Sequence, residues 1–296
     1  MSLQIPNDPL AQMIETLDLQ SAGNSSKDED LFIGPSQWMP HGRVFGGQVL
    51  AQSLVAASRT IENRNVHSMH GYFLRPGNME LPITFSVDRL RDGRSFSTRR
   101  VQAFQSDLPI FSMIASFQEE DPGLEHQDDF PSGIPEPESL PSAADLIGDN
   151  PHPVAQYWAK ARPFDMRHVD SPIYFSVEGK PVAHQAVWLK ALGPMPDDQS
   201  LHTAALAYAS DYSILESIYR RHSIAWSHPG LKSASLDHAM WFHRPAKVDQ
   251  WMLYVQESPS AQGGRGLALG RIFNSRGELL ATVAQEGMVR VPEMRK

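Results

Sequence analysis

Apolar residues recur every three or four positions from Leu201 onward, which predicts a single helix over LHTAALAYASDYSILESIYRR. Asp211 lies inside this apolar stripe, three residues after Tyr208 and four before Leu215. A carboxylate on a buried helix face destabilises the fold unless it is paired, hydrogen-bonded or required for chemistry. Asp211 is therefore the first candidate functional residue.

Two strand-like segments follow this helix in the sequence, ASLDHAMWFHRP and LLATVAQEGMVRV. Alternation along the second segment places Gln285 on its more apolar face. Alternation along the first places Ser235 and Asp237 on one face and His238 on the other. The helix and the two strands thus offer an acid, a hydroxyl and an amide that could meet at one site.

The first third of the chain has a similar order of elements. Gly46 and Gly47 open a predicted helix over residues 44–61. The remaining patterns predict a short helix over 8–20, an edge strand over 31–37, strands over 67–77 and 81–93, and two long strands within 95–118. Between 154 and 200 they predict a helix over 154–161 and strands over 173–179 and 184–192.

Residues 119–153 differ in composition from the rest of the chain. They contain seven prolines and ten acidic residues, with few large apolar side chains. This composition is typical of a linker that runs across the surface. The predicted domains are an N-terminal unit over 1–118, a Pro- and acid-rich linker over 119–153, and a C-terminal unit over 154–296. We expect the C-terminal unit to carry the active site, because residues 44–61 contain no Asp or Glu.

The two units repeat one another. Phe73-Leu74-Arg75-Pro76 and Phe242-His243-Arg244-Pro245 stand 169 residues apart, and each follows a helix and opens an antiparallel run of strands. A helix wrapped by an antiparallel sheet, twice over, is the layout of two hotdog folds. The predicted fold class is therefore α+β, a double hotdog whose two sheets pair side by side and so lose an exposed edge.

Composition excludes several classes of site. The chain has 296 residues, a net charge of −8 and no cysteine, which excludes disulfides, thiolate metal ligands and a cysteine nucleophile. No cluster of Lys and Arg indicates a nucleic-acid partner. No apolar run is long enough for a membrane span, and the acidic N-terminal segment lacks the pattern of a signal peptide. These features are compatible with a cytosolic protein.

Each candidate residue also has a purely structural interpretation. Asp211 is either a general base or a carboxylate paired within the fold. Gln285 either orients water or is satisfied by neighbouring backbone. Ser235 positions water, acts as a nucleophile or is an ordinary strand residue. Asp237 is the rival acid, and the sequence pattern does not choose between Asp237 and Asp211.

No metal ion or cofactor is predicted. The histidine spacings are poor for a metal site, and neither HExxH nor G-x-S-x-G occurs. Gly263-Gly264-Arg265-Gly266 lacks the Lys-Ser/Thr of a phosphate-binding loop, so a hairpin connection is the better interpretation.

Six blocks of sequence resemble the type II acyl-CoA thioesterases, the double-hotdog enzymes of bacteria and peroxisomes. The blocks are VFGGQVLAQ, VHSMHGYFLRPG, LRDGRSFSTRRV, LAYASD, LDHAMWFHRP and VAQEG, and they span roughly residues 44 to 290. The resemblance implies a homo-oligomeric enzyme that hydrolyses fatty acyl-CoA to a free fatty acid and coenzyme A. The C-terminal address of the peroxisomal members is missing, which favours the cytosol.

By position, the catalytic Asp, Thr and Gln of this family fall on Asp211, Ser235 and Gln285, so Ser replaces the family's Thr. The resemblance implies that water attacks the thioester directly, while Asp211 takes its proton and Ser235 and Gln285 hold it. Gln285 is a further candidate donor to the oxyanion. Two alternatives remain, a hotdog enoyl-CoA hydratase and a non-catalytic acyl-CoA-binding protein.

Overall fold

The computed structural model describes residues 5–26 and 29–292 and confirms the predicted α+β class. Two main helices, α2 (Gly46–Ser58) and α5 (Gln199–Ser210), pack against one large antiparallel sheet. The smaller helices are α1 (Pro9–Leu17), α3 (Ala143–Ile147), α4 (Pro153–Lys160) and α6 (Glu216–Arg221). The strands are β1 (Gln20–Ser26), β2 (Glu29–Gly34), β3 (Asn65–Phe73), β4 (Ile83–Asp92), β5 (Phe96–Gln105), β6 (Leu108–Gln118), β7 (Phe164–His168), β8 (His184–Ala191), β9 (Lys232–Ser235), β10 (Asp237–Phe242), β11 (Met252–Gln262), β12 (Arg265–Asn274) and β13 (Leu279–Arg290).

The two repeated units share a single sheet. Its order is β1-β2-β4-β5-β6-β3-β10-β13-β12-β11-β8-β7, and the short β9 pairs with β13 beside this path. The units join where β3 and β10 pair antiparallel, with Tyr72 opposite Asp237 and Ser68 opposite Trp241. These are the strands that end in the two repeated sequence blocks. Their pairing removes one edge from each half-sheet, as the sequence predicted.

Helices α2 and α5 approach each other closely at one end. A Cβ atom on Gly47, in the first turn of α2, would lie 2.3 Å from the carbonyl oxygen of Tyr208 in α5. Only glycine permits this approach. The buried faces of both helices are rich in Leu and Ala, and they fill one hydrophobic core with the inner face of the sheet. The start of α2 is thereby fixed beside the end of α5.

The prediction of one continuous helix from Leu201 is wrong. Helix α5 ends at Ser210, a turn occupies residues 211–215, and α6 begins at Glu216. The Ser210 hydroxyl bonds to the carbonyl of Ala207 at 2.8 Å, and the Tyr212 amide bonds to the carbonyl of Ala209, so the last turn tightens. Asp211 is consequently the C-cap of α5 rather than a residue inside a helix.

Two strand predictions are also wrong. Residues 173–179 form no strand, because the carbonyls of Ile173 and Tyr174 accept from the amides of Trp226 and Ser227 in a loop. The strand in this region is instead β7. The segment 31–37 is not an edge strand either, because β2 lies between β1 and β4 and the unpredicted β1 occupies the edge.

Residues 119–153 run across the outer face of the C-terminal half-sheet. Phe130, Ile134 and Leu140 pack against a small apolar cluster that contains Trp188 and Phe273. The segment also includes α3. Within residues 5–26 and 29–292, no helix is long and apolar enough to cross a membrane.

Candidate active site

A cavity of about 790 Å³ opens where the start of α2 meets the end of α5. Its wall contains residues of both repeated units, because Phe45 and Gly46 come from the first and Asp211 and Tyr212 from the second. Apolar and aromatic side chains dominate the wall, and its size is typical of a small-molecule site. Asp211 is the only carboxylate that lines the cavity among the described residues.

The structure brings Asp211, Ser235 and Gln285 together. The Ser235 hydroxyl donates to Asp211 Oδ1 over 3.1 Å. Gln285 Nε2 donates to the same oxygen over 3.0 Å and to Ser235 Oγ over 2.9 Å. Asp211 and Ser235 line the cavity, whereas Gln285 is only 1% exposed and lies behind them. Both hydrogens of the Gln285 amide are therefore already committed within this cluster.

The environment of the Asp211 carboxyl group moves its pKa toward neutral pH. Burial raises its pKa from 3.8 to about 6, because the charged form loses solvation. Hydrogen bonds from Gln285, from Ser235 and from the backbone N–H of Gly47 oppose this rise by stabilising the carboxylate. The net result is a carboxylate that is ionised at pH 7 but more basic than an exposed aspartate.

The start of α2 meets Asp211 directly. A Cβ atom on Gly46 would lie 2.6 Å from Asp211 Oδ2 and 3.1 Å from the ring of Phe73. The N-cap residue, Phe45, offers no side-chain acceptor, so the first backbone N–H groups of α2 bind other partners, and the Gly47 N–H donates to Asp211. The sequence placed Gly46 at a helix start but did not show that this start contacts Asp211 of the other unit.

The alternation along the ASLDHAMWFHRP segment predicted that His238 and Ser235 lie on opposite faces, and this prediction is wrong. His238 Nδ1 contacts Gln285 Oε1, and its Nε2 lies 3.0 Å from Ser210 Oγ, so it faces the same interior as the cluster. Ser235 pairs with Gly287 of β13, and Ala239 pairs with Ala284 of β13. The chain thus advances four residues from Ser235 to Ala239 while β13 advances only three. This extra residue is a β-bulge, and it reverses the alternation between Ser235 and His238.

The neutral form of His238 fixes the orientation of the Gln285 amide. Burial lowers the pKa of His238 from 6.5 to about 4, so the ring is uncharged at pH 7. Because the Gln285 N–H groups face Asp211 and Ser235, its carbonyl faces His238 and requires an N–H at Nδ1. Nε2 is then an acceptor, and it shares the single hydrogen of the Ser210 hydroxyl with the carbonyl of Ala207. The Gln285 amide therefore has a partner of the opposite kind at each end.

The rival acid, Asp237, lies outside this cluster. Its Oδ1 accepts from the backbone N–H of Glu286 over 2.7 Å, and its side chain does not line the cavity. Partial burial raises its pKa, an effect that this hydrogen bond opposes. Asp237 thus ties β10 to β13, and Asp211 is the acid that faces the cavity. No group of three or more potential metal ligands occurs in the part of the chain that the structure describes.

The comparisons with known proteins all indicate the same family. Residues 160–288 match the family model described as acyl-CoA thioesterase, and residues 34–118 match its N-terminal domain. Human acyl-coenzyme A thioesterase 8 is 41% identical over 278 residues, which cover 89% of this chain and 86% of the human protein. Acyl-CoA thioesterase 2 of Haemophilus influenzae is 38% identical and covers 97% of this chain and 100% of its own length.

Solved structures show the same architecture. The acyl-CoA thioesterase II TesB2 of Mycobacterium marinum superposes with a TM-score of 0.75 at 40% identity, covering 96% of this chain and 99% of its own. The tesB protein of Mycobacterium avium gives a TM-score of 0.76 at 33% identity, covering 95% of this chain and 100% of its own. A protein of Alicyclobacillus acidocaldarius described as having a hotdog fold gives 0.76 at 17% identity, which supports the fold alone.

Proposed function

The chain belongs to the acyl-CoA thioesterase family and is a thioester hydrolase, and we propose that it cleaves fatty acyl-CoA by direct attack of a water activated by Asp211. One observation carries this assignment of the base. Asp211 is the only carboxylate in the cavity wall among the described residues, and burial brings its pKa to about 6. A base with such a pKa is ionised at neutral pH and accepts a proton readily.

Asp211 and Ser235 would hold the attacking water from two sides. Asp211 Oδ1 accepts from Gln285 and Ser235, so Oδ2 has to serve both the Gly47 N–H and the water proton. The Ser235 hydroxyl donates to Asp211 and accepts from Gln285, so one lone pair stays free for the water. Gln285 does not line the cavity, and it acts by fixing both partners of the water.

The chemical step then needs no covalent enzyme intermediate. The water oxygen bonds to the thioester carbon as one water proton moves to Asp211. The tetrahedral intermediate collapses, the carbon–sulfur bond breaks, and the proton on Asp211 is returned to the thiolate of coenzyme A. Thiolate is a good leaving group, so placement of the water provides much of the acceleration.

The start of α2 is the best source of donors for the oxyanion. Both Gln285 N–H groups are already used, so Gln285 has none left for the thioester oxygen. Gly46 lines the cavity at the first turn of α2, where backbone N–H groups lack acceptors within the helix. The helix dipole adds partial positive charge at the same position. We assign the Gly46 N–H to the developing oxyanion.

The acyl chain would occupy the apolar part of the cavity. Phe45 stacks on Tyr212 with ring centroids 4.6 Å apart, and Leu215, Trp226 and Val49 continue this wall. Burial of each methylene in such a wall contributes about 0.8 kcal/mol. A fatty acyl group is therefore the substrate part that fits this side of the cavity.

We also propose that the enzyme is cytoplasmic and homo-oligomeric. The strands β6, β3 and β10, which join the two units, expose Ile114, Tyr72 and Trp241 on the outer face of the sheet. A second copy of the chain is the proposed partner for this apolar patch. Trp241→Arg should shift the mass measured by light scattering to that of a smaller species. Cell fractionation tests the location.

The decisive experiment measures thiol release from a series of acyl-CoAs of increasing chain length. Wild type should release coenzyme A, Asp211→Asn should lose nearly all turnover, and the matched control Asp237→Asn should retain it. Full activity of folded Asp211→Asn would overturn the assignment of the base. Hydration of an enoyl-CoA without thiol release would favour the hydratase alternative, and binding of acyl-CoA without any turnover would favour a non-catalytic binding protein.

A further inference from the structure

The wall of the active-site cavity is basic although the chain is acidic. The net charge is −8, yet among the described residues the wall contains Arg43, Arg75 and Arg162 and one carboxylate, Asp211. Arg162 is buried, with its guanidinium carbon 4.8 Å from the centre of the Tyr212 ring. The other two arginines are exposed and therefore lie at the cavity mouth.

Two neighbouring segments carry the exposed basic residues. Arg43 forms an isolated antiparallel bridge with Asn78, and the Val44 amide donates to the carbonyl of Gly77 over 3.0 Å. Arg75 precedes Gly77 by two residues, so Arg43 and Arg75 lie on adjacent, paired stretches of backbone. The tertiary fold thus brings two arginines to one rim from positions 32 residues apart in the sequence.

Arg43 and Arg75 have no carboxylate partner among the described residues, whereas several other exposed arginines do. Arg59, Arg100 and Arg276 each form an ion pair with an Asp or Glu. Among the residues that the structure describes, the Arg43 side chain has no hydrogen-bond or ion-pair partner, and Arg75 uses one nitrogen to donate to the carbonyl of Pro109. Two cations at a cavity mouth with no carboxylate between them form a site for an anion.

The basic mouth connects directly to the catalytic cluster. Arg43 precedes Gly46 by three residues, and Gly46 abuts Asp211. Arg75 follows Phe73 by two residues, and the Phe73 amide donates over 2.9 Å to the carbonyl of Leu236, which follows Ser235. The side chains of Val44, Phe45 and Phe73 line the space between the mouth and the cluster. A ligand that spans both must have an anionic end, a thin arm and a reactive group at Asp211.

We propose that Arg43 and Arg75 form the subsite that binds the phosphate groups of coenzyme A, an inference that rests on the proposed thioesterase function. With the thioester at Asp211, the pantetheine arm passes Phe45 and Phe73, and the nucleotide phosphates lie at the rim. The planar guanidinium group matches two phosphate oxygens at once, which makes arginine well suited to this role.

The test compares an acyl-CoA with a substrate that lacks the 3′-phosphoadenosine diphosphate part of coenzyme A and therefore all of its phosphates. An acyl-CoA and the acyl-pantetheine thioester with the same acyl chain are hydrolysed by wild type, Arg43→Ala, Arg75→Ala and the double variant. The ratio of kcat/KM for acyl-CoA over acyl-pantetheine should fall roughly fivefold in each single variant and more in the double variant, because charge-assisted contacts to phosphate are lost. The loss should appear in KM for acyl-CoA, and the salt dependence of kcat/KM should weaken.

Arg94→Ala is the matched control, because Arg94 is exposed and lies outside the cavity wall. This control should leave the substrate ratio unchanged. Equal losses on both substrates, or an unchanged ratio in the double variant, would overturn the subsite. Arg43→Lys and Arg75→Lys should restore part of the ratio, because the charge is retained while the two-pronged geometry is lost.

Direct binding separates failure of the subsite from failure of the proposed function. Calorimetry with free coenzyme A and with pantetheine requires no turnover. If wild type releases no thiol but binds coenzyme A more tightly than the double variant does, the subsite stands and the hydrolase proposal falls. If the double variant binds coenzyme A as tightly as wild type, the subsite is wrong whatever the activity. Coenzyme A without its 3′-phosphate then shows which phosphate each arginine contacts.

Discussion

Gln285 Nε2 lies 3.0 Å from Asp211 Oδ1, although the two residues are 74 positions apart in the sequence. The same nitrogen lies 2.9 Å from Ser235 Oγ, so one buried amide holds two polar residues of the cavity wall, Asp211 and Ser235. His238 holds the opposite end of this amide. The geometry of the cluster is therefore set before any substrate binds, which is the condition for effective electrostatic and positional catalysis.

The pH dependence of turnover should report the ionisation of Asp211. Because burial raises its pKa to about 6, kcat/KM should fall roughly tenfold per pH unit below that value and level off above it. The value of kcat/KM falls at low pH because the protonated carboxyl group cannot accept the proton of water. The measurement is kcat/KM from about pH 5 to 8, with Asp237→Asn as a control that should keep the same profile. A flat profile down to pH 5 would exclude Asp211 as the base with this pKa.

Removal of the Ser235 hydroxyl should slow turnover without abolishing it. Ser235→Ala loses one contact to the water, and we expect kcat to fall about 10- to 100-fold while Asp211 still acts as base. The variant also loses the hydrogen bond that Ser235 donates to Asp211, so the apparent pKa of the pH profile should rise. Ser235→Thr keeps the hydroxyl and should retain most activity. Complete loss in the Ala variant, with an acyl-enzyme detected by mass spectrometry of wild type, would instead indicate a serine nucleophile.

We expect His238 to support turnover through the hydrogen bond that its Nδ1–H donates to Gln285, and not through a charge on its ring. His238→Leu removes the donor that orients Gln285, and we expect kcat to fall about tenfold or more with little change in KM. His238→Asn can present an N–H near the same place and should recover part of the loss. The pH profile of the Leu variant should also shift upward, because Gln285 no longer donates reliably to Asp211. Thermal unfolding separates this effect from loss of structure, and normal kcat in a folded Leu variant would contradict the role.

A methyl group at Gly46 should disable the site. The added Cβ atom would lie 2.6 Å from Asp211 Oδ2, so the carboxylate or the start of α2 must shift. Displacement of a catalytic group by about 1 Å commonly lowers kcat about 100-fold. Gly123→Ala is a suitable control, because a Cβ atom there meets no heavy atom within 4 Å. Steady-state rates of the two variants test the contact, and an active Gly46→Ala enzyme would show that the close approach is not required.

The family resemblance and the residue patterns together anticipated much of the architecture. The repeat of Phe73–Pro76 at Phe242–Pro245 predicted two joined units, and β3 and β10 do pair where they meet. The alternation that placed Gln285 on an inner face also holds along β13. These features are local or periodic, so they can be read from neighbouring residues in the chain.

The tertiary structure determined residue contacts that the local sequence pattern could not predict. The bulge at Leu236 turned His238 toward Gln285, because a single extra residue reverses the alternation of a strand. Packing of α5 against α2 placed Gly46 against Asp211, 165 positions away. The sequence by itself determined which residue types are available and the period on which they recur. Only long-range packing decided which of them meet, because burial, and with it the basicity of Asp211, depends on every element that excludes water from the site.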